Sequence, residues 1–262
     1  MKLYRARVRS GKVFISFAYS DLSKPIKVII LAYGLPGSPS NTSDEFVRRF
    51  VRCGFVVAIP EYIGTFDSYG KFTPESSVDT ILGTIKLFKK GGAKDLLTMD
   101  TLHWKAKEIV LVGGSFGASV ALVAGAKSKL IKKIVSLAAP TNYGAHTDPD
   151  EESVIDDYHV LKRAFPFTWR LTSKKVWTDL YKGRLDLNAV DHTKSLKGKN
   201  VLLIHGMKDK VVNFRNSTQL YGLIKGGKSR KKLILLKHEG HFGLRALRKP
   251  NVFNHVIRFL KR

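Results

Sequence analysis

Cysteine is nearly absent: Cys53 is the one thiol in 262 residues. No disulfide can form within the chain, which fits a reducing compartment and makes the cytoplasm the default location. Long apolar runs are missing too; none reaches the roughly 18–20 residues that a helix needs to cross a bilayer. The basic start, MKLYRARVRSGKVF, has no apolar core of the kind a signal peptide carries. Acidic residues are scarce, with 21 Asp and Glu against 46 Lys and Arg, a formal net charge of +25. Such a field attracts phosphate polymers, acidic membranes or anionic substrates. Yet the basic residues are spread along the chain, and no block of five or six like charges occurs. KSRKK, at Lys228 to Lys232, is the densest cluster. A basic cytoplasm or an ion-rich thermophile surface is the plainer account of the charge. Contact with nucleic acid or an acidic membrane is therefore compatible with the sequence but not required by it.

Internal repeats and low-complexity linkers are also lacking, so residues 1–262 read as one domain with ample length for a core. What is present is a rhythm of Val- and Ile-rich runs separated by helix-like stretches. That rhythm predicts an α/β fold: about eight strands in a mostly parallel sheet flanked by helices. LYRARV and KVFISFAY read as an N-terminal hairpin. KVIILAY (Lys27 to Tyr33) and GFVVAIP (Gly54 to Pro60) read as strands covered on both faces. Between them SDEFVRRFVRC has Ser43 as an N-cap and acids in the first turn; PESSVDTILGTIKLFKKG opens on Pro74 and closes on Gly91. EIVLVGG, KKIVSLAAP, KNVLLIHG and KKLILLK supply the remaining strands. Thr141 to Lys197, between the sixth and seventh strands in this count, is too long for a simple crossover. It reads as a helical lid insertion over the strand ends, with ordinary crossover helices joined by a long loop as the alternative.

Gly113-Gly114-Ser115-Phe116-Gly117 follows a strand and precedes a helix. A tight turn between small residues lets the serine hydroxyl project at the strand's C-terminal end above a helix N-terminus. A dinucleotide-binding turn needs G-x-G-x-x-G, and here the third position is Ser115 itself. A serine nucleophile needs a base, and the base needs an orienting carboxylate. Asp209 lies just past KNVLLIHG and His241 just past KKLILLK, so both emerge at the same sheet edge as Ser115. Asp186 and Asp191 precede a strand and fall at the wrong edge. His205 is expected to brace the Asp209 loop, and His238 is the nearest rival base. The pair His238 and His241 is three residues apart, not four as in H-E-x-x-H, so no metal site is indicated. No cofactor is required.

An oxyanion needs two N–H donors. Phe116 supplies one; Leu35, in the turn YGLPGSPSN, is the better candidate for the other, with Gly34 next, since Pro36 has no N–H. Phe165, Phe167 and Trp169, within the insertion, are candidates to line an apolar acyl pocket. The run Asn142 to Val160 carries Asp148, Asp150, Glu151, Glu152, Asp156 and Asp157 with no Lys or Arg. Bordering the site mouth, it would favour a cationic group such as a peptide amino terminus; the plainer alternative is pairing with surface lysines.

GGSFGAS, NAVDHTKSLKGKNVLLIHGMKDKVVNFRNSTQLYGLIKGG and HEGHFG together make the chain resemble an α/β-hydrolase over nearly its full length. Within that superfamily it is most similar to the catalytic domain of the prolyl oligopeptidase family and related esterases. The resemblance implies Ser115 as nucleophile, His241 as base, Asp209 as its orienter, and Phe116 and Leu35 as oxyanion donors. The family's usual His-Gly before the oxyanion turn reads Tyr33-Gly34 here, and no β-propeller precedes the domain. The implied activity is hydrolysis of small to medium carboxylic esters, with peptide or acyl-aminoacyl hydrolysis as the alternative. A polyanion-binding protein on a hydrolase scaffold is a third reading, supported by charge alone.

Overall fold

A computed structural model describes residues 2–39, 44–145 and 157–262. The chain begins with the hairpin β1 (Tyr4–Ser10) and β2 (Val13–Tyr19), followed by β3 (Ile26–Ala32), α1 (Asp44–Arg52) and β4 (Phe55–Pro60). Next come α2 (Pro74–Lys90), the short strands β5 (Gly92–Lys94) and β6 (Thr101–His103), β7 (Ala106–Gly114), α3 (Phe116–Lys127) and β8 (Lys133–Leu137). After β8 lie α4 (Asp157–Ala164), α5 (Lys174–Tyr181) and α6 (Thr193–Lys197). The chain finishes with β9 (Asn200–Gly206), α7 (Arg215–Ile224), β10 (Lys231–Leu236) and α8 (Pro250–Lys261).

Eight strands form one sheet in the order β1-β2-β4-β3-β7-β8-β9-β10. β1 pairs antiparallel with β2, and β2 with β4; every other pairing is parallel. This is the mostly parallel, helix-flanked sheet that the Val- and Ile-rich runs predict. The central strands are apolar without alternation because both faces are covered: Val28 to Leu31 of β3 have no exposure, and every residue of β4 is buried. Register places Ala32, Gly113, Leu137, Ile204 and Leu236 along one edge, where β3, β7, β8, β9 and β10 all end. Every candidate catalytic residue follows one of those ends.

The helices start and stop where local chemistry dictates. Thr73 caps α2, its side chain accepting from the Ser76 N–H while the Ser76 hydroxyl accepts from the Thr73 N–H, each at 3.0 Å. Pro74 takes the first helical position, and Gly91 ends the helix at φ +91°. α1 runs from Asp44; its expected cap, Ser43, lies outside the described residues. β5 and β6 form a separate two-stranded ribbon that the sequence does not announce, since three-residue strands carry no readable alternation.

The chain after β8 is tied down by aromatic packing. Bridges join Trp169 to Thr65 and Leu171 to Phe72. Trp169 is only 3% exposed, set edge-on to Phe72 at 4.7 Å, with Phe66 and Phe165 completing the cluster. Trp177 stacks on Phe72 with ring centroids 5.9 Å apart. Trp169→Ala is therefore expected to cost about 3–5 kcal/mol of stability. Chemical denaturation measures it, and an unchanged midpoint would contradict this packing.

Candidate active site

Ser115 links β7 to α3 with φ 55° and ψ −129°, in the left-handed half of backbone space where a side chain is strained. Strain of this kind costs on the order of 1–3 kcal/mol and persists only if the surroundings impose it. Here they do. The Ser115 N–H donates to the Leu137 carbonyl at the end of β8, and its own carbonyl accepts from Ala118, both at 2.8 Å. Two glycines let neighbouring backbone close on the turn. A Cβ on Gly117 would lie 2.2 Å from the Ala32 carbonyl oxygen, and one on Gly114 would lie 2.3 Å from the Leu244 nitrogen. The first contact brings the end of β3 against α3. The second brings the loop after β10 against the serine.

That loop delivers His241. Its Nε2 accepts from Ser115 Oγ at 3.0 Å, and its Nδ1 donates to Asp209 Oδ2 at 2.8 Å. The tautomer follows, because the carboxylate can only accept. The loops holding the two residues are joined by a bond from the Lys208 N–H to the Glu239 carbonyl, 2.8 Å. Asp209 Oδ1 accepts from the N–H groups of Val211 (2.9 Å) and Val212 (2.8 Å). His205, wholly buried, donates from Nε2 to the Val212 carbonyl at 2.8 Å and lies 3.2 Å from Asp209 Oδ2, while Ser217 Oγ meets its Nδ1 at 2.7 Å. The Asp209 side chain has no exposure; that of His241 keeps 23%. The carboxylate is thus sealed behind the imidazole, whose far edge stays open to a substrate. Burial by itself would push the Asp209 carboxyl up. The hydrogen bonds from His205, His241 and Val212, together with the charge of the imidazolium form of His241, outweigh it and hold the acid well below the usual carboxylate range.

Two backbone segments named as candidate oxyanion donors adjoin the serine. Phe116 is the first residue of α3, so its N–H has no acceptor within the helix and sits at the positive end of the helix dipole. Gly34 lies directly on the serine: a Cβ there would be 3.0 Å from Ser115 Cβ. The Gly34–Leu35 turn is anchored by a tyrosine pair. Tyr62 Oη donates to the Tyr33 carbonyl at 2.7 Å, and the Tyr62 N–H donates to Tyr33 Oη at 3.2 Å. Thr65 commits its hydroxyl proton to the Tyr62 carbonyl, so Tyr33 Oη donates to Thr65 Oγ1 at 3.4 Å. Burial pushes the Tyr62 hydroxyl up, with Tyr33 and Tyr143 adding to the shift, so it remains a donor.

A sequence profile of the prolyl oligopeptidase family matches residues 45–262. The chain belongs to the prolyl oligopeptidase family. Like its relatives it is a serine hydrolase with an α/β-hydrolase fold. The fold is similar to that of an esterase from Pyrococcus furiosus (TM-score 0.69, 20% identity), covering 100% of this chain and 90% of that one. It is similar to the α/β hydrolase GrgF from Penicillium (TM-score 0.73, 14% identity), covering 100% and 99%. An acylaminoacyl peptidase from Pyrococcus horikoshii aligns at TM-score 0.67 and 15% identity, over 100% of this chain but 41% of that one. No curated protein matches the sequence at a significant level.

In this prolyl oligopeptidase relative the other residues singled out by sequence are dispersed. Asp186 pairs with Lys127 and His192, each at 2.6 Å, and Asp191 accepts from Asn188 at 3.2 Å. The three aromatic candidates do not form one wall. Trp169 is core, Phe165 packs against it, and Phe167 is 91% exposed. Phe167 alone of the three lines a depression of about 380 Å³, with Ser38, Pro39, Glu61, Phe66, Asp67 and Thr168. The reason is burial: Phe66 and Phe72 already offer an aromatic surface, and Trp169 and Phe165 gain more by joining it than by facing a ligand. Asp157 of the acidic run accepts from Tyr181 Oη; Asp148, Asp150, Glu151, Glu152 and Asp156 lie outside the described residues. Sequence reasoning missed Tyr62, because a tyrosine just past a strand reads as ordinary core.

Asp209 also sets an acid limit. Its folded pKa is depressed, so its stabilising contribution is complete above the unfolded value of about 3.9 and fades as pH falls toward the folded one. The stability difference between wild type and Asp209→Asn is expected to be flat from pH 8 to about 5 and to shrink below about 4. Melting curves across that range decide it; a difference that grew on acidification would contradict the assignment.

Proposed function

We propose that the protein hydrolyses carboxylic esters of small to medium acyl chains through an acyl-enzyme on Ser115. The observation that carries this reading is the continuous chain Ser115 Oγ to His241 Nε2, then His241 Nδ1 to Asp209 Oδ2. His241 takes the Ser115 proton as Oγ attacks the ester carbonyl, and Asp209 stabilises the imidazolium that forms. The oxyanion is received by the N–H groups of Phe116 and Leu35. His241 then gives its proton to the leaving alcohol. A water molecule attacks the acyl-enzyme by the same route and releases the acid. Tyr62 serves as a positioning residue, holding the Tyr33 carbonyl and with it the Leu35 turn.

In this reading residues 1–262 form one hydrolase domain, and the described residues of the insertion, 141–145 and 157–197, are anchored to the rest by the Trp169 and Leu171 bridges. The same fold occurs in an esterase and in an acylaminoacyl peptidase, and the Ser115-His241-Asp209 chain would serve either substrate; the ester is the first reading. The profile match to a peptidase family keeps the amide reading as second choice.

A fluorophosphonate probe is expected to label the wild type and not Ser115→Ala, with turnover falling by about 10³-fold or more. Matched p-nitrophenyl esters and anilides separate the two substrate classes; anilides cleaved as readily as esters would favour the peptidase. Unlabelled, folded wild type would overturn the mechanism. Tyr62→Phe is expected to lower kcat by roughly 10–100-fold with KM little changed. Equal losses in both constants, or none, would remove its positioning role.

A further inference from the structure

The edge of the sheet opposite Ser115 holds a feature that the hydrolase reading leaves unused. A cavity of about 400 Å³ opens where β3, β7 and β8 begin. Its lining includes Lys27, Lys89, Lys107 and Lys132, with Glu108 as the single acid. Glu108 is already matched, at 2.9 Å, by Lys133, which also donates to the Leu260 carbonyl. Among the described residues none of the four lysines has an ion-pair partner. Four lysines without ion-pair partners therefore line one concavity whose single acid, Glu108, is held by Lys133. The nine-residue β7 separates it from Ser115 by about 25–30 Å.

Helix-end electrostatics explain only one of these charges. Lys89 is in the last turn of α2, where a cation complements the helix dipole. Lys27 and Lys107 are strand residues, and Lys132 directly precedes β8, so they have no such reason to be there. Crowding is felt nearby as well. Lys199, bonded to the Ser128 and Ile131 carbonyls at 2.8 Å, has its ammonium pushed down first by burial and then by Lys132.

We propose that this cavity is a binding site for an oligophosphate, a run of linked phosphates whose closely spaced charges match the four lysines. The chemistry excludes the neighbouring alternatives on physical grounds. A flat anionic membrane does not fill a concave pocket, and Leu130 is the one large exposed apolar side chain on its rim. Single-stranded nucleic acid binds by stacking bases on aromatic rings, and the lining holds none. A phosphate chain needs only point charges, which lysine supplies. The site does not depend on the Ser115 chemistry.

Titration calorimetry of the full chain with tripolyphosphate at physiological salt is expected to give one saturable site. Lys107→Glu/Lys132→Glu, both solvent-exposed, should weaken it about tenfold or more, whereas the distant pair Lys71→Glu/Arg163→Glu should change it less than twofold. Melting temperatures check that both variants fold. Adenosine triphosphate binding as tightly as tripolyphosphate would identify a nucleotide-borne chain, and weaker binding a free one; both support the site. Absent binding, equal loss in the two variants, or tighter lysine-dependent binding of duplex DNA or phosphatidylserine vesicles would overturn it.

Discussion

The left-handed backbone of Ser115 is the constraint on which the site depends. A serine held in that conformation projects its hydroxyl from the sheet edge, but only while several other segments press against the turn. β8 supplies the acceptor for its N–H, β3 closes on Gly117, and the loop after β10 closes on Gly114. Each contact comes from a different strand of the parallel sheet. The strain is thus offset by the same packing that gathers the proposed catalytic groups, and the fold cannot relax the serine without separating His241 from it.

The second layer of the site is polar and buried, which is affordable only where every group is paired. Asp209 shows how this is met: two backbone N–H groups, His241 and a second histidine, His205, all converge on one carboxylate. His205 is in turn fixed by Ser217 and the Val212 carbonyl, so the acid is held by α7 as well as by its own loop. The tyrosine pair does the equivalent for the Gly34–Leu35 turn. Tyr33 and Tyr62 exchange backbone and hydroxyl contacts, so neither ring can turn without leaving a buried group unsatisfied.

Much of this is legible in the sequence because chain order and sheet edge are coupled. Once Ser115, Asp209 and His241 are each assigned to a strand end, a parallel sheet brings them to one edge, and glycine around the serine marks the tight turn. Side-chain burial is harder to read. Phe165 and Trp169 carry no mark that separates a core aromatic from a ligand-facing one; the difference lies in Phe66 and Phe72, about 100 residues earlier, which meet them only in three dimensions. Tyr62 is hidden for the same reason, since its partner is a backbone carbonyl 29 residues away. The ribbon of β5 and β6 escapes because its strands are too short to show a period.

Charge is where sequence and structure differ most in what they convey. A net +25 spread along a chain looks diffuse, yet parallel α/β topology does not keep it so. Strand beginnings and helix ends share one edge of such a sheet, and in this chain both are rich in lysine, as at Lys27, Lys89, Lys107 and Lys132. Lysines far apart in sequence thus line one concavity. The opposite edge carries the buried Asp209 and depends on neutral hydrogen bonds as much as on charge. With a Debye length of about 8 Å at physiological ionic strength, two edges some 25 Å apart are electrostatically independent. The chain can therefore concentrate positive charge at one end without disturbing the proton transfers proposed for the other.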